Sequence, residues 1–584
     1  MTDSPASSRE GVVFFGLAAL MLMYVVLRAA YVPFVHDEAT SFIAYAQPGT
    51  FLPFASMWDA NNHFLNSLCG HAGYRLFGLH PLALRWASVL SYVLFAWCAW
   101  HLGERIGRPI IRWLLWLALL ACPFLLDFFS LFRGYGPAMA LLLLAVYQAS
   151  CYLESRSERS LAVSLLAMSA AMGFMLGLLP LALVLQLALF TAAYRVRRHT
   201  VIGIALGLIP LLLIALLAKH MAALGLLYHG GTDGYASTTI GSLLKFTFGV
   251  VGEGRPQWLV LFTTFLTALL IWMQRRAGIP HHLMLVAAML WGEWALRWLL
   301  ACTIGLNYAE DRTALHVLVL FILFVAFTAD ALRRLHAAAW LLAIPLLALP
   351  LRVAFTANLD RTALWPEQSI PGRFMARIEA LEKELDRPAI VGAHRLATMP
   401  FGLQRRLRGG EGDATAANWP NALADARIEM LGVPFDNDQR FALADSASNG
   451  LRLYVRSPMW HSTLQRDSAF AMESDGGMRS VGLPIPAQLI QASDVIVDVS
   501  GSLRATSTLD LRACVAVYDS TGAVLHVDHL MLTTRRALWN GEHWRTALAI
   551  PREPLAARAE FFLWEIGHGP FKLSQGRMRV HAMR

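Results

Sequence analysis

The stretch GVVFFGLAALMLMYVVLRAAYVPFVHDEAT, residues 11–40, decides the fold class. It is apolar over 12–29, with Arg28 its single charge, and it ends at the charged run His36-Asp37-Glu38. A helix needs roughly 17–25 apolar residues to cross a bilayer. Ten further stretches of that kind follow, at 82–102, 110–128, 132–152, 160–177, 179–194, 200–218, 258–274, 283–303, 313–331 and 336–355. Acids (Asp3 and Glu10) precede the first one alongside Arg9, and many spans follow it. It therefore reads as a retained anchor and not as a signal peptide.

Composition agrees. Of 584 residues, 56% are hydrophobic and 15% charged, with mean hydropathy +0.48 and net charge +9. Such a chain is neither disordered nor a purely soluble enzyme. Residues 1–355 hold 23 basic and 15 acidic side chains, and residues 356–584 hold 26 and 25. The excess is not carried by a basic soluble domain, so a nucleic-acid groove is not expected. The second part reads as a soluble appendage.

Arginine sets the orientation. Connections after even-numbered spans contain Arg105, Arg108, Arg112, Arg156, Arg159, Arg195, Arg197, Arg198, Arg275, Arg276, Arg333 and Arg334. The positive-inside rule makes these cytoplasmic, places the N-terminus inside and sends the C-terminal part outside. The outer connections instead carry Asp37, Glu38, Asp59, Asp127, Asp233, Glu253, Glu310 and Asp311. Cys514 is the single cysteine of the soluble part, and no CxxC or zinc spacing is present. No Walker loop or dinucleotide glycine fingerprint stands out.

Four segments carry candidate chemistry. In the first, Asp37 or Glu38 at the membrane boundary can act as a general base. Acids at a helix start equally complement its dipole. The second, Asp59-Ala60-Asn61-Asn62-His63, precedes apolar positions at helical spacing, which predict a helix on the membrane face begun by Asn62 and His63. An ordinary Asn cap is the plainer alternative. The third, Arg133-Gly134-Tyr135-Gly136, opens a span, where an arginine needs a partner. A lipid phosphate suits it, and so does Asp127. The fourth, Tyr308-Ala309-Glu310-Asp311-Arg312, puts acids where a helix dipole favours them and Arg312 where it does not. That arginine suits a phosphate or a local ion pair. Glu293 and Arg297 lie i,i+4 inside a span and satisfy each other. His36, His63 and His229 have no metal-ligand spacing, so no metal is assigned.

These segments, in this order, resemble GT-C membrane glycosyltransferases, in particular bacterial members of the dolichyl-phosphate-mannose–protein mannosyltransferase-like superfamily. The motifs are Val35-His36-Asp37-Glu38-Ala39; Asn62-His63 with Tyr74-Arg75-Leu76-Phe77-Gly78 and Ala83-Leu84-Arg85; Pro123-Phe124-Leu125 with Arg133-Gly134-Tyr135; and Glu310-Asp311-Arg312. Two positions depart from the pattern. Leu131 stands where many relatives have an acid, and Phe64 where many have Pro. The resemblance covers about 1–355. It implies an inverting glycosyltransferase that moves a sugar from a polyprenyl-phosphate donor to an acceptor hydroxyl on the periplasmic face of a bacterial inner membrane. Asp37 would be the base, with Glu38 beside it. Arg133 and Arg312 would hold the donor phosphate, and Asp59, Asn62, His63, Tyr135, Tyr308 and Asp311 would contact substrate. No nucleotide or other cofactor is implied, and a divalent metal is left open. The acceptor can be a glycan, a lipid or a protein.

Residues 356–479 mix helix and strand signals and read as a small α/β domain. Its signals are the helical period over Arg373–Leu385 and strands at Ala389–Gly392 and Leu451–Val455, with a Gly/Ala/Asn-rich stretch at 409–420. Residues 480–584 read as a jelly-roll-like β-sandwich with a hairpin at Asp519–Gly522. Trp539, Trp544 and Trp564 are either a sugar-stacking platform or core. The expected whole is a polytopic α-helical GT-C-like membrane protein of about 11 spans with an extracytoplasmic α/β plus β-sandwich region. Two rivals are a transporter or flippase, which the intramembrane Glu293–Arg297 pair would favour, and a catalytically inactive envelope-glycan assembly protein.

Overall fold

The computed structural model describes residues 7–249, 254–277, 279–333, 336–409, 422–430, 438–475, 480–505, 511–531, 540–565 and 569–583. Glu253, Trp539 and most of the 409–420 stretch lie outside them. The chain forms two compact units, Met1–Tyr31 with Thr50–Leu359, and Val32–Gly49 with Asp360–Arg584.

The first unit is helical, and each apolar stretch forms helix. Among the described residues nine helices are long and apolar enough to span a membrane. Pro109–Leu120 and Pro123–Phe129, bent by 46°, make a tenth if counted as one span. The remaining stretch is the 17-residue helix Glu158–Phe174. Proline opens several of these helices (Pro81, Pro109, Pro123), where its missing N–H costs nothing. The chain is a multi-pass membrane protein.

Arginines within this bundle cannot be hydrated by lipid, so each must find oxygen. Arg28 pairs with Asp127 and donates to Ser130 Oγ (3.3 Å) and to the Asn358 carbonyl (2.7 Å). Arg85 donates to the Ala29 carbonyl at 3.0 Å. Arg112 donates twice to the Ile106 carbonyl, at 3.1 and 2.9 Å, and pairs with Glu10 at 3.1 Å. All three arginines are buried. These bonds tie helix ends together at positions far apart in sequence.

In the second unit, strands β1 (Val391–Ala393), β2 (Ala426–Glu429), β3 (Phe441–Ser446) and β4 (Arg452–Arg456) form a sheet of order β1-β2-β4-β3, parallel only between β1 and β2. The helix Gly372–Leu385 packs on it through Phe374, Met375, Ile378 and Leu381. Its strongest polar element is the fully buried Arg387–Asp425 pair, bidentate at 2.8 Å, with the Ile390 N–H donating to the same carboxylate.

The sandwich begins earlier than the sequence reading has it. β5 (Ser462–Ser474) pairs with the last strand, so residues 462–474 belong to the sandwich and not to the α/β part. The other strands are β6 (Leu483–Ile485), β7 (Asp494–Ala505), β8 (Leu511–Tyr518), β9 (Val524–Met531), β10 (Asn540–Ile550), β11 (Arg558–Glu565) and β12 (Phe571–Met583). They make two sheets, β10-β7-β12-β5 and β6-β11-β8-β9. β5 escapes notice because most of its residues are polar and exposed, leaving no apolar alternation to read. The β8–β9 hairpin closes on Asp519, whose carboxylate accepts the N–H groups of Thr521 and Ala523. Trp544 is fully buried between the sheets, whereas Trp564 packs on the outer side of β8 and β11. These two rings do not form one platform.

Residues 32–49 form a second correction to the domain limits. The helix His36–Ser41 packs against the helix Arg395–Leu407. The His36 N–H donates to Gln368 Oε1 at 2.9 Å, and Arg406 donates to Gln47 Oε1 at 3.3 Å. Phe34, Val35, Phe42 and Tyr45 are buried, and the stretch belongs to the second unit.

Removing Asp425 strands the Arg387 charge without water, a loss of about 3–5 kcal/mol. Asp425→Ala is expected to lower the unfolding temperature of the detergent-purified chain clearly. Glu473→Ala removes an exposed partner of Lys572 and should leave it nearly unchanged.

Candidate active site

The site in the first unit is built from three helix starts. His63 is the residue before the helix Phe64–Phe77, Arg133 and Gly134 precede the helix Tyr135–Ser155, and Asp311–Ala314 leads into Leu315–Leu332. The sequence spacing predicts each of these starts.

His63 fixes its own protonation by geometry. Its Nδ1 lies 2.6 Å from the Phe174 carbonyl, which can only accept, so Nδ1 carries the proton. In the neutral ring Nε2 is then an acceptor, and it receives Arg133 Nη2 at 3.0 Å. Arg133 also donates to the Asn61 carbonyl at 3.5 Å and lies over the Tyr135 ring, 5.6 Å from its centroid. The His63 ring meets the same tyrosine edge-on at 4.9 Å. Arg312 Nε donates to the Tyr135 hydroxyl at 3.1 Å. One tyrosine thus carries a guanidinium on its face and another on its hydroxyl. His63 orients Arg133 without neutralising it, because the acceptor is a neutral ring.

Gly134 makes this packing possible. A Cβ there would stand 2.0 Å from the Phe174 carbonyl oxygen and 3.0 Å from His63 Nδ1. Any side chain would force apart the histidine and the carbonyl that sets its tautomer.

Asp311 is bound from several sides. Its backbone φ of 45° is left-handed, unusual for a residue other than glycine. Its N–H donates to Ser242 Oγ at 2.8 Å. Its carboxylate accepts the Arg312 backbone N–H, faces Arg312 Nη1 at 3.4 and 3.5 Å, and lies 3.4 Å from His229 Nε2. Tyr308 exchanges two backbone hydrogen bonds with Gly231. Gly230, at φ +113°, allows the approach, since a Cβ there would stand 2.3 Å from the Tyr308 carbonyl oxygen.

Other predicted residues have local work. Asp59 Oδ1 accepts the Asn61 N–H at 2.9 Å. The Asn62 amide donates to the Phe51 carbonyl (3.0 Å) and accepts from Ser67 Oγ (3.0 Å), so it braces its own loop. Asp37 and Glu38 lie on the His36–Ser41 helix of the second unit, where fully buried Glu38 accepts the Val35 N–H at 3.2 Å and caps that helix. Glu293 meets Arg297 at 2.7 Å, as the spacing predicts, and also His316 Nε2 at 3.0 Å. Sequence reasoning missed His316, Ser242 and the role of His229. Arg312 and His316 do stand i,i+4, a spacing that could have flagged the latter. Among the described residues no group of three or more His, Cys, Asp or Glu side chains could hold a metal ion.

The same unit contains an apolar cavity of about 460 Å³, lined by Leu243, Trp258, Phe262, Trp291, Trp294 and Phe321 among others.

No protein-family model and no curated protein matches the chain. Among solved structures it is similar to ArnT from Cupriavidus metallidurans bound to undecaprenyl phosphate, at 15% identity and TM-score 0.37, over 69% of this chain and 73% of that one. The apo structure of ArnT is similar at 13% identity and TM-score 0.37, over 77% of this chain and 98% of that one. The chain is also similar to the arabinofuranosyltransferase AftD from Mycobacteria, at 11% identity and TM-score 0.41, over 100% of this chain and 62% of that one.

Proposed function

We propose that this protein is a polyprenyl-phosphate-dependent glycosyltransferase of the GT-C kind, inverting, and working on the periplasmic face of a bacterial inner membrane. The observation that carries this reading is the pair of guanidiniums on Tyr135. Arg133 is buried at the end of an apolar bundle and held by a neutral His63. Two positive charges on one aromatic hub suit a phosphate, and positive charge placed where a leaving phosphate accumulates negative charge lowers the barrier. The apolar cavity suits an isoprenoid tail by its chemistry and size.

The reaction balances without a nucleotide. An acceptor hydroxyl loses its proton to Asp37, and its oxygen attacks the anomeric carbon opposite the phosphate. The sugar–phosphate C–O bond breaks, and polyprenyl phosphate leaves with the electron pair, facing Arg133 and Arg312. Attack from the opposite face inverts the linkage. Asp37 carries the base role from the sequence motif, with Glu38 shaping its helix.

The test is donor consumption. Detergent-purified protein is incubated with a panel of polyprenyl-phosphate sugars, and loss of donor is followed. Wild type should consume at least one, and turnover of none overturns the reading. Asp37→Asn should fall by about 10²-fold or more, the usual worth of a general base. Turnover equal to wild type would remove Asp37 from that role while leaving the class intact.

Arg312→Ala should cost about 10²–10³ in kcat, as loss of one transition-state charge partner does. Gly134→Ala leaves every charged group in place but pushes His63 from the Phe174 carbonyl. It should reduce donor affinity in protein that still elutes as a single folded species, as measured by KM for the donor.

A further inference from the structure

Asp311 is expected from sequence to contact substrate, yet its surroundings in the first unit give it different work. The left-handed residue, at φ 45°, is approached by two groups from the 226–248 segment, one at its backbone and one at its carboxylate. Ser242 Oγ takes the Asp311 N–H at 2.8 Å, and His229 Nε2 lies 3.4 Å from Oδ1. The same segment is fastened to 307–312 at three more places. Asn307 Nδ2 donates to the Tyr228 carbonyl at 2.9 Å, Gly231 and Tyr308 exchange backbone bonds, and Thr239 Oγ1 donates to the Ala309 carbonyl at 2.6 Å. A strained residue persists only where its surroundings over-determine it. Here they do.

The strain has a visible result. The turn at Asp311 lets its carboxylate cap the Arg312 backbone N–H and also face the Arg312 guanidinium. Arg312 Nε is then aimed at the Tyr135 hydroxyl. Loss of the carboxylate would remove both of these contacts from Arg312.

We propose that Asp311 is a positioning residue, and that Ser242 and His229 of the 226–248 segment form with it a brace that aims Arg312 at the donor phosphate. The inference rests on the reading of Arg312 as a phosphate ligand. It makes the 226–248 segment part of the phosphate-binding apparatus, although no residue of that segment is itself assigned to substrate.

The experiment measures affinity for undecaprenyl phosphate in detergent, with wild type and four variants of the full chain. Asp311→Ala removes the carboxylate and disfavours the left-handed turn, and it should weaken binding about tenfold or more, the worth of one charge-assisted hydrogen bond. Asp311→Asn tolerates that backbone and keeps an acceptor for the Arg312 N–H, so it should return affinity to within about threefold of wild type. Ser242→Ala and His229→Gln should weaken binding in the same direction by less. With a turned-over donor, Asp311→Ala should raise KM as well as lower kcat, whereas a residue that only stabilises the fold would reduce the active fraction and leave KM alone. If Asp311→Ala does not fold, the Ser242 and His229 variants decide. Unchanged affinity in the folded variants overturns the brace while the phosphate reading stands. Wild type that does not bind undecaprenyl phosphate overturns both.

Discussion

A guanidinium inside an apolar bundle is the constraint on which the first unit depends. Arginine keeps its charge at any relevant pH, and lipid offers nothing to solvate it. The bundle answers with oxygen and nitrogen from distant parts of the chain. Arg28, Arg85 and Arg112 are bonded mainly to carbonyls and carboxylates and hold helices in place. Arg133 is bonded to the His63 imidazole and to the Asn61 carbonyl. Burial does not set it apart, because all four arginines are buried.

Much of this was legible beforehand. Long apolar runs determine helices almost by themselves, since an unsatisfied backbone in lipid is costly, and every such run became helix. The boundary between the stretches 160–177 and 179–194 is present as a short 3₁₀ turn, Leu176–Leu178, ahead of the helix Leu179–Ala193. Arg133 and Arg312 were legible because each sits oddly for its helix position, and His63 and Tyr135 because they stand in the motifs that carry the resemblance. Their mutual contact was not, because Arg312 and Tyr135 are 177 residues apart. Ser242 and His229 were harder still. A serine and a histidine in a connecting segment break no rule, and their meaning appears only once Asp311 is seen to be strained. Asp127 has a partner that the spacing does not show, Arg28 on the first helix.

The second unit was legible in its strands and not in its limits. The apolar runs at Ala389–Gly392 and Leu451–Val455 marked β1 and β4, and the hairpin signal at Asp519–Gly522 marked the turn between β8 and β9. The polar strand β5 and the segment 32–49 carry no such mark. Their membership is decided by long-range pairing that no local pattern records.

The membership of residues 32–49 in the second unit bears on the order in which the protein is made. The helix bearing Asp37 emerges first, but its hydrogen-bond partner Gln368 is 332 residues further on. At a synthesis rate of about 5–20 residues per second, tens of seconds separate the two. During that interval the membrane helices are inserted while the His36–Ser41 helix has not yet met the helix Arg395–Leu407 that packs against it. The same arrangement means that a chain ended before Asp360 would lose more than an appendage. It would leave the motif-bearing helix without the surface that shapes it, so the two halves of this protein are not separable parts.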